Sequence, residues 1–376
     1  RRTGKGVVEC YRNAGKGYGW IGWVGSAAIL LITGFCITLT AYCMKYFIGN
    51  VGTLVGASWG INGGDPAAYW NNFLQNGWQA ALLTVLATVI TVYIMYKGTS
   101  GIEKFCKYAM PALVIMLIIV IIKSLSLPGS MAGLEFVFKP DWSVFKGTGW
   151  ISVFSKATGQ AFFSLSVTGS GMIVYGAYLS KEEDVVHMAQ RTALFDTIAA
   201  VVAALVIIPA CFSYNLDVGA GPGLLFVTLP TILQDIPLGR LFAIILYVAM
   251  IFAGISSLQN MFEAVVESLM HKFPKLSRTA ALAILCALCL GIGLFMEPIA
   301  KWGTWMDLVS IYIIPIGATL GAVSWFYVMK KDDLLTAVNT GSHKTRGALW
   351  YSVGRYVYVP LALVLCLVAL IGGVAF

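Results

Sequence analysis

A polar stretch, Ser164-Leu165-Ser166-Val167-Thr168-Gly169-Ser170-Gly171, interrupts an apolar run that extends over 153–178. Glycine costs about 1 kcal/mol in a helix interior, and serine and threonine offer the backbone competing hydrogen bonds. A break here would free carbonyl groups for a cation and amide groups for an anion. Close packing of small residues against a neighbouring helix is the alternative. This stretch therefore decides between continuous helices and a bundle with a broken helix.

The composition of the whole chain excludes an ordinary soluble protein. Of the 376 residues, 59% are hydrophobic and 11% are charged, against about 45–50% and about 25% in soluble domains. The mean hydropathy is +0.82. Disordered, fibrous and nucleic-acid-binding classes are excluded as well. The composition predicts an all-α, polytopic transmembrane bundle, because a bilayer admits only structures that satisfy their own backbone.

Nine stretches are long and apolar enough to cross a bilayer, which takes about 20 residues. They are Trp20–Tyr46, Gly77–Tyr96, Tyr108–Leu127, Val153–Tyr178, Thr192–Phe212, Leu238–Leu269, Thr279–Phe295, Trp305–Met329 and Tyr356–Phe376. Two longer connections, Asn50–Asn76 and Pro128–Thr148, are rich in glycine, tryptophan, asparagine and aspartate. Such a composition is typical of an ordered extracellular cap.

Basic residues orient these spans. If the N-terminus is cytoplasmic, alternate loops contain 18 of the 25 lysine and arginine residues, and 7 lie at or near the other side. Because cytoplasmic loops carry an excess of basic residues, we predict a multi-pass protein of the cell membrane with a cytoplasmic N-terminus. The net charge of +8 is therefore a topology signal, and no nucleic-acid partner is implied.

Three acidic residues stand out within the predicted spans: Asp196, Glu263 and Asp307. Burial of an ionisable group in a bilayer costs at least about 2.5 kcal/mol, so each is a functional candidate. Asp196 lies only about one turn into its span, which leaves an interfacial acid as the alternative. Glu263 could simply pair within the bundle. Asp307 would suit a water-filled vestibule near the outer face.

The sixth span carries a second polar feature, Phe252-Ala253-Gly254-Ile255-Ser256-Ser257. It places two adjacent hydroxyl groups and a carbonyl in the middle of a long apolar helix. Hydroxyl and carbonyl oxygens are hard ligands that suit a small hard cation. Because no compact carboxylate cage accompanies them, the pattern favours Na⁺ over Ca²⁺.

A series of motifs runs nearly end to end and in order. They are Gly101-Ile102-Glu103-Lys104 leading to Met110-Pro111, Ser126-Leu127-Pro128-Gly129, Gly159-Gln160-Ala161-Phe162-Phe163-Ser164-Leu165-Ser166, Val174-Tyr175-Gly176-Ala177-Tyr178, Phe195-Asp196-Thr197, Val227-Thr228-Leu229-Pro230 and Phe252-Ala253-Gly254-Ile255-Ser256-Ser257. Together they resemble the neurotransmitter:sodium symporter family, particularly its bacterial amino-acid transporters. The resemblance implies two inverted five-helix repeats followed by one or two extra helices.

The register against that family implies an incomplete set of helices. The first span here is similar to the family's third helix, and the broken span is similar to its sixth. The resemblance therefore implies that the first two helices are missing, as in a fragment or a truncated gene product. It assigns 1–150 to the remainder of the first repeat, 151–330 to the second repeat, and 331–376 to a cytoplasmic loop and a final span.

The same resemblance implies ligands for two sodium ions in the full-length protein. One site would use Ser164 and Asp196. The other would use the carbonyl of Ala253 and the hydroxyls of Ser256 and Ser257. In the family both sites also draw ligands from the first helix.

An amino-acid substrate would lie between the two sodium sites, with its carboxylate near the first. The resemblance implies a lining of Ile32, Cys36, Phe163, Ser166, Gly169, Ser257 and Met261. Phe163 would be the lid on the extracellular side. Asp307 is similar to an acid of the outer gate, and Tyr178 is similar to a tyrosine of the inner gate.

Two positions depart from the family pattern. Cys36 stands where a tyrosine hydrogen-bonds the substrate carboxylate, and a thiol is a weaker donor. The carboxylate would then be held differently, or transport would be impaired. Ala200 stands where chloride-dependent members carry a serine, one turn after Asp196. Because Asp196 can itself supply the negative charge, chloride is not expected to be required.

The resemblance implies secondary active transport, in which an amino acid and sodium move inward together by alternating access. The small Gly169 favours a bulky apolar or aromatic substrate. Proton coupling through Asp196 and Glu263 stays open, as does a truncated product that does not transport. The predicted spans contain no HExxH or GxSxG motif, so an enzyme is not expected. The implied partners are a small-molecule amino acid and the lipid bilayer. A homodimer is also compatible with the resemblance.

Overall fold

The computed structural model describes residues 2–61, 64–96, 99–147, 149–167, 170–219, 221–235 and 237–372, and the regular elements in these ranges are all helical. The α-helices are α1 (Val7–Ala14), α2 (Gly19–Leu54), α3 (Pro66–Gln75), α4 (Gly77–Met95), α5 (Thr99–Leu125), α6 (Ser130–Phe138), α7 (Gly149–Ser164), α8 (Gly171–Tyr178), α9 (Val185–Ser213), α10 (Leu229–Asp235), α11 (Gly239–Lys272), α12 (Arg278–Phe295), α13 (Trp302–Asp307), α14 (Ile314–Val323), α15 (Lys331–Asn339), α16 (Ala348–Val353) and α17 (Val359–Gly372). Short 3₁₀ segments lie at Trp142–Phe145 and Ile299–Lys301. π-helical segments lie at Leu224–Thr228, Leu308–Ile313, Ser324–Val328 and Gly354–Tyr358.

Within these ranges, 7 helices are long and apolar enough to cross a membrane. They are Gly19–Leu54, Gly77–Met95, Glu103–Leu125, Val185–Ser213, Gly239–Lys272, Arg278–Phe295 and Ala348–Ile371. The fourth predicted span is divided into α7 and α8. The eighth is one helical run from α13 to Val328 that contains two π segments. The prediction of an all-helical transmembrane bundle with a broken helix is confirmed.

Helix α2 forms the centre of the bundle and packs against α1, α4, α11, α12 and α14. It contains 36 residues, which at 1.5 Å each make about 54 Å, well beyond the hydrocarbon thickness of about 30 Å. It continues past the predicted end at Tyr46. Asn50 donates its side-chain amide to the Tyr46 carbonyl, and Thr53 donates its hydroxyl to the Gly49 carbonyl. These two polar side chains therefore bond to carbonyl groups of their own helix. The helix continues through both residues and ends at Leu54.

Two glycines allow the helices around α2 to approach closely. A Cβ atom at Gly34 would collide with Ile292 of α12. A Cβ atom at Gly254 of α11 would collide with Thr40 of α2. Small residues at such crossings are typical of membrane bundles, where close van der Waals packing drives association.

An aromatic cluster closes one end of the bundle beside the connection between α2 and α4. Tyr42 of α2 has its ring centroid 4.8 Å from that of Phe73 in α3. Trp70 of α3 stacks on Phe226 at 4.8 Å with the two rings nearly parallel. The connections predicted to be ordered do contain helices, α3 in the first and α6 in the second. This cluster joins α2 and α3 to the π segment Leu224–Thr228.

Candidate functional site

The break in the fourth span is formed by the backbone around Ser166. Its amide donates to the carbonyl of Phe163 at 3.0 Å. The amide of Val167 donates to the carbonyl of Phe162 at 3.0 Å, and Ser166 has a φ of 54°. This is a Schellman motif with serine in the left-handed position that glycine usually takes. Because that conformation costs a non-glycine residue about 1–2 kcal/mol, the surrounding contacts must hold it.

The second half of the broken helix, α8, is attached to α2. Ser170 is 1% exposed and donates its hydroxyl to the carbonyl of Gly25 at 2.8 Å. Helix α8 begins at Gly171, where a Cβ atom would lie 3.1 Å from Cβ of Ser166. The two ends of the break are therefore packed against each other. Gly169, a predicted pocket residue, lies outside the described residues.

The two side chains predicted for the first sodium site are in contact. Ser164 ends α7, and its hydroxyl donates to Oδ2 of Asp196 in α9 at 2.9 Å. Asp196 is half-buried. A hydroxyl oxygen and a carboxylate oxygen are thus bonded to each other beside the break.

The residues predicted for the second sodium site lie on an unbroken stretch of α11. The hydroxyl of Ser256, which is 8% exposed, donates to the carbonyl of Ala253 at 2.9 Å. Ser257 is exposed and lines a cavity. The Ser256 hydroxyl is therefore bonded to a carbonyl of its own helix, whereas Ser257 lines the cavity.

That cavity has a volume of about 260 Å³ and lies between α2, α7, α8 and α11. It brings together six of the predicted substrate residues, of which Ser257 is also a predicted sodium ligand, and one further predicted sodium ligand. These are Ile32, Cys36, Phe163, Ser166, Ser257 and Met261, with Ser164 beside them. The volume lies just below the range of about 300–1,000 Å³ that is common for pockets of drug-sized ligands, so the space suits a smaller molecule.

Four further lining residues were missed by the sequence reasoning. They are Ile29, Gly171, Tyr175 and Asn260. Helical spacing could have found two of them, because residues three or four apart share a helix face. Asn260 follows the predicted Ser257 by three positions, and Tyr175 precedes the predicted Tyr178 by three.

A network of ionisable side chains joins the end of α8 to α11 and α12. The hydroxyl of Tyr178 lies 2.7 Å from Oε1 of Glu263 and 2.9 Å from Oε1 of Glu267. Arg278 donates to both carboxylate oxygens of Glu263, at 2.9 and 2.6 Å. Nδ1 of His271 lies 3.2 Å from Oε2 of Glu267. The open alternative for Glu263, pairing within the bundle, is therefore what the structure contains.

The connection between α8 and α9 is bonded to a second loop through Asp184. Its Oδ1 accepts from the amides of Val186 and His187, which caps α9. Its Oδ2 accepts from the Ser342 hydroxyl and the His343 amide, at 3.0 and 3.1 Å. The His187 amide and these other donors lower the pKa of the Asp184 carboxyl to about 2. Two distant loops are thus joined by one carboxylate.

The structure gives less information on two other predicted positions, Asp307 and Ala200. Asp307 ends α13, directly before a π segment, and its side chain lies outside the described part of the chain. Ala200 is exposed on α9, one turn after Asp196. The eight cysteines are free thiols, and Cys36 is half-buried at the cavity.

The arrangement as a whole combines hard oxygen ligands with a small enclosed space. Serine hydroxyl groups line the cavity, and the Asp196 carboxylate bonds to one of them, that of Ser164. Such oxygens bind hard cations. Apolar side chains supply the rest of the lining, including Ile32, Phe163 and Met261. This chemistry can hold a small polar molecule with an apolar side chain next to a monovalent cation.

Comparison with known proteins gives a consistent result. Residues 70–374 match the model of the sodium:neurotransmitter symporter family. A sodium-dependent transporter of Bacillus subtilis, YhdH, is 30% identical, with 100% of this chain and 85% of the relative covered. A sodium-dependent transporter of Methanocaldococcus jannaschii is 31% identical, with 89% of this chain and 71% of the relative covered.

A solved structure is similar over nearly the whole chain. The crystal structure of MhsT in complex with L-phenylalanine superposes with a TM-score of 0.86 at 28% sequence identity. The match covers 98% of this chain and 86% of the MhsT chain.

Proposed function

The chain belongs to the sodium:neurotransmitter symporter family, and from that premise we propose that it moves an amino acid across the membrane together with sodium by alternating access. The observation that carries the proposal is the cavity at the broken helix, where four helices contribute lining residues. Sodium is a transported substrate in this scheme. One charge that crosses 100 mV supplies about 2.3 kcal/mol, in addition to the concentration gradient.

For the sodium ions, the proposal assigns Ser164 and Asp196 to one site. The 2.9 Å contact between their oxygens supports this assignment. The other site uses the carbonyl of Ala253 with Ser256 and Ser257. Its support is the 2.9 Å distance between Ser256 Oγ and the Ala253 carbonyl, which brings two hard oxygens to one place.

For the substrate, the proposal is a bulky apolar or aromatic amino acid. Apolar side chains of Ile32, Phe163 and Met261 line the cavity, and the similar protein MhsT has been crystallised with L-phenylalanine. Phe163 covers the substrate on the extracellular side. Because the thiol of Cys36 is a weak donor, the substrate carboxylate is held mainly by sodium and by backbone amides at the break.

The remaining assignments concern direction, gating and chloride. The N-terminus is cytoplasmic, in accord with the distribution of basic residues, and the substrate moves inward. Tyr178 belongs to the inner gate and Asp307 to the outer gate. Asp196 supplies the negative charge beside Ala200, so transport does not need chloride.

Proton coupling through Asp196 and Glu263 is the competing mechanism. It requires Glu263 to bind and release a proton during the cycle. Both of its oxygens accept from Arg278, so protonation would have to break a bidentate ion pair. This contact favours sodium coupling.

The test is equilibrium binding of radiolabelled amino acids to the purified protein, with sodium or with choline at constant pH. We expect saturable binding in sodium that bulky apolar or aromatic amino acids displace, and none in choline. Ser256→Ala with Ser257→Ala should abolish the sodium dependence. Ser268→Ala is the matched control, because Ser268 also lies on α11 and also donates to its own helix, at 2.9 Å to Ala264.

Two results would contradict the proposal. Absence of displaceable binding by any of the twenty amino acids would refute the substrate class. Full sodium dependence in the double variant would refute the second ion site. Equal binding in choline, together with a strong pH dependence, would favour proton coupling.

A further inference from the structure

A lateral groove of about 570 Å³ lies away from the candidate site, between the end of α4, the start of α5 and the middle of α11. Its lining includes Tyr93, Tyr96, Lys104, Ala112 and Phe252. No residue of the groove belongs to the cavity at the broken helix. The groove is larger than that cavity and opens sideways from the bundle.

The floor of the groove is apolar and elongated. Phe105 of α5 meets Phe252 of α11 edge to face, with ring centroids 6.0 Å apart. Ala109, 3% exposed, lies one turn further along α5. From Lys104 to Ala112 the helix rises about 12 Å at 1.5 Å per residue. That length accommodates a stretch of extended hydrocarbon chain.

The rim of the groove carries tyrosines that face outward. Tyr93 is 81% exposed, Tyr108 is 68% exposed and Tyr96 is 67% exposed. Tyrosine is enriched where a membrane protein passes from the hydrocarbon to the headgroup level, because its ring is apolar and its hydroxyl is polar. The rim therefore places the open end of the groove at a membrane–water interface.

Among the described lining residues, one cation, Lys104, marks the same end. Lys104 is exposed and lines the groove. The ion pairs found in the described ranges do not include it. In the orientation given by the basic residues, this end faces the cytoplasmic leaflet, which is rich in anionic lipids.

We propose that the groove binds one anionic phospholipid. The lipid phosphate contacts Lys104, and one acyl chain lies along Phe105, Ala112 and Phe252. The Lys104 ammonium group lies beside a long apolar floor. This combination favours a ligand that has both an anionic group and a hydrocarbon chain. A small inorganic anion would leave the floor unfilled, and a zwitterionic lipid would bring a cationic group to Lys104.

The test uses the full chain in phosphatidylcholine nanodiscs that contain a minor fraction of phosphatidylglycerol with a diazirine in its acyl chain. After illumination, peptide mass spectrometry locates the labelled residues. We expect label on the peptides that contain 93–112 and 252. Lys104→Gln should reduce that label about fivefold, the ratio that corresponds to about 1 kcal/mol for one basic residue at an anionic surface.

Matched variants separate the groove from general surface charge. Lys107→Gln removes an exposed lysine of α5 that does not line the groove, and it should keep the label. Ala112→Phe fills the floor without a change of charge, and it should remove the label from 93–112. Unchanged label in Lys104→Gln, or an equal loss in Lys107→Gln, would overturn the proposal.

Other occupants give other outcomes. If a diazirine phosphatidylcholine labels the same peptides equally, the groove binds lipid without regard to charge and the proposal fails. If the peptides stay unlabelled while bifunctional reagents link two chains through this face, a second copy covers the groove. That result would also overturn the lipid assignment.

Discussion

The broken helix and α11 both place serines at the candidate cavity, yet only the first of these two regions is interrupted. In α11 the Ser256 hydroxyl donates to Ala253 of the same helix, and the backbone continues as an α-helix. At the break, the Ser164 hydroxyl donates to Asp196 of another helix. Two residues later Ser166 turns into the left-handed region.

The difference shows that hydroxyl groups alone do not break a helix. A serine that bonds back to a carbonyl of its own turn is tolerated, at a small cost in helix propensity. A break needs a residue held outside the right-handed region, with its orphaned carbonyls satisfied by a closing motif. Ser166 supplies the first requirement, and the amide of Val167 supplies the second.

The largest predicted effect comes from the ion pair that joins α11 to α12 beside the end of α8. Arg278→Ala would leave the Glu263 carboxylate, 5% exposed, without its cationic partner. Loss of one member of a buried pair costs about 3 kcal/mol or more. We expect a clear fall in the thermal unfolding midpoint, measured by size-exclusion chromatography after heating. Tyr178→Phe, which removes one hydrogen bond to the same carboxylate, should have a smaller effect.

A double variant tests the reason for that loss. In Glu263→Gln with Arg278→Ala no carboxylate remains at position 263, so much of the stability should return. If the double variant is as unstable as Arg278→Ala, packing of the arginine side chain and not the unpaired charge accounts for the result.

Replacement of serine by glycine should have opposite effects on stability at the break and in α11. Ser166→Gly relieves a left-handed serine and should stabilise the protein by about 1 kcal/mol. Ser256→Gly places glycine inside a continuous helix and should destabilise it by about 0.5 kcal/mol. Thermal unfolding of both variants measures the two signs. A loss of stability in Ser166→Gly would show that its hydroxyl at the cavity contributes more than the backbone strain.

The smallest effect appears only in acid. The pKa of Asp184 is lowered from 3.8 to about 2 in the folded protein, so its contribution to stability is complete above the ordinary value. It is lost as the pH falls from about 4 to about 2, because the unfolded state then binds the proton more tightly. We expect Asp184→Asn to flatten the dependence of the unfolding midpoint on pH in that range. A curve parallel to that of the unchanged protein would contradict this.

The sequence was sufficient for the helical bundle and the position of the break, because both depend on composition and local propensity. It placed the end of α2 too early, at Tyr46. Asn50 and Thr53 are usual loop residues, and their bonds to carbonyls four positions back become visible only in the folded helix. The left-handed backbone at Ser166 was equally hidden, since serine seldom adopts it.

The residues of the candidate site also divide into those that the sequence predicted and those that it did not. Residues with a family counterpart, such as Ser257 and Met261, were placed from the sequence and do line one cavity. Asn260 and Tyr175 were missed because their helix faces were not followed to the next turn. Arg278 was counted only as a topology residue, because the sequence does not show that it reaches back to Glu263.

The π segments of the long helix from α13 to Val328 have a geometric consequence. Val309 and Ile314 are both buried, at 0% and 1% exposure. In an α-helix, five residues correspond to about 500° of rotation, so the side chains of Val309 and Ile314 would point in different directions. In a π-helix, residues five apart lie about one turn apart, so the two side chains face the same side. Along its length the helix bonds to α2 at Trp305 and to α17 at Thr319. If Leu308–Ile313 kept all its residues but took α geometry, the entire second half would rotate by about 100°. Deletion of one residue there would restore α geometry and leave the direction of the second half unchanged.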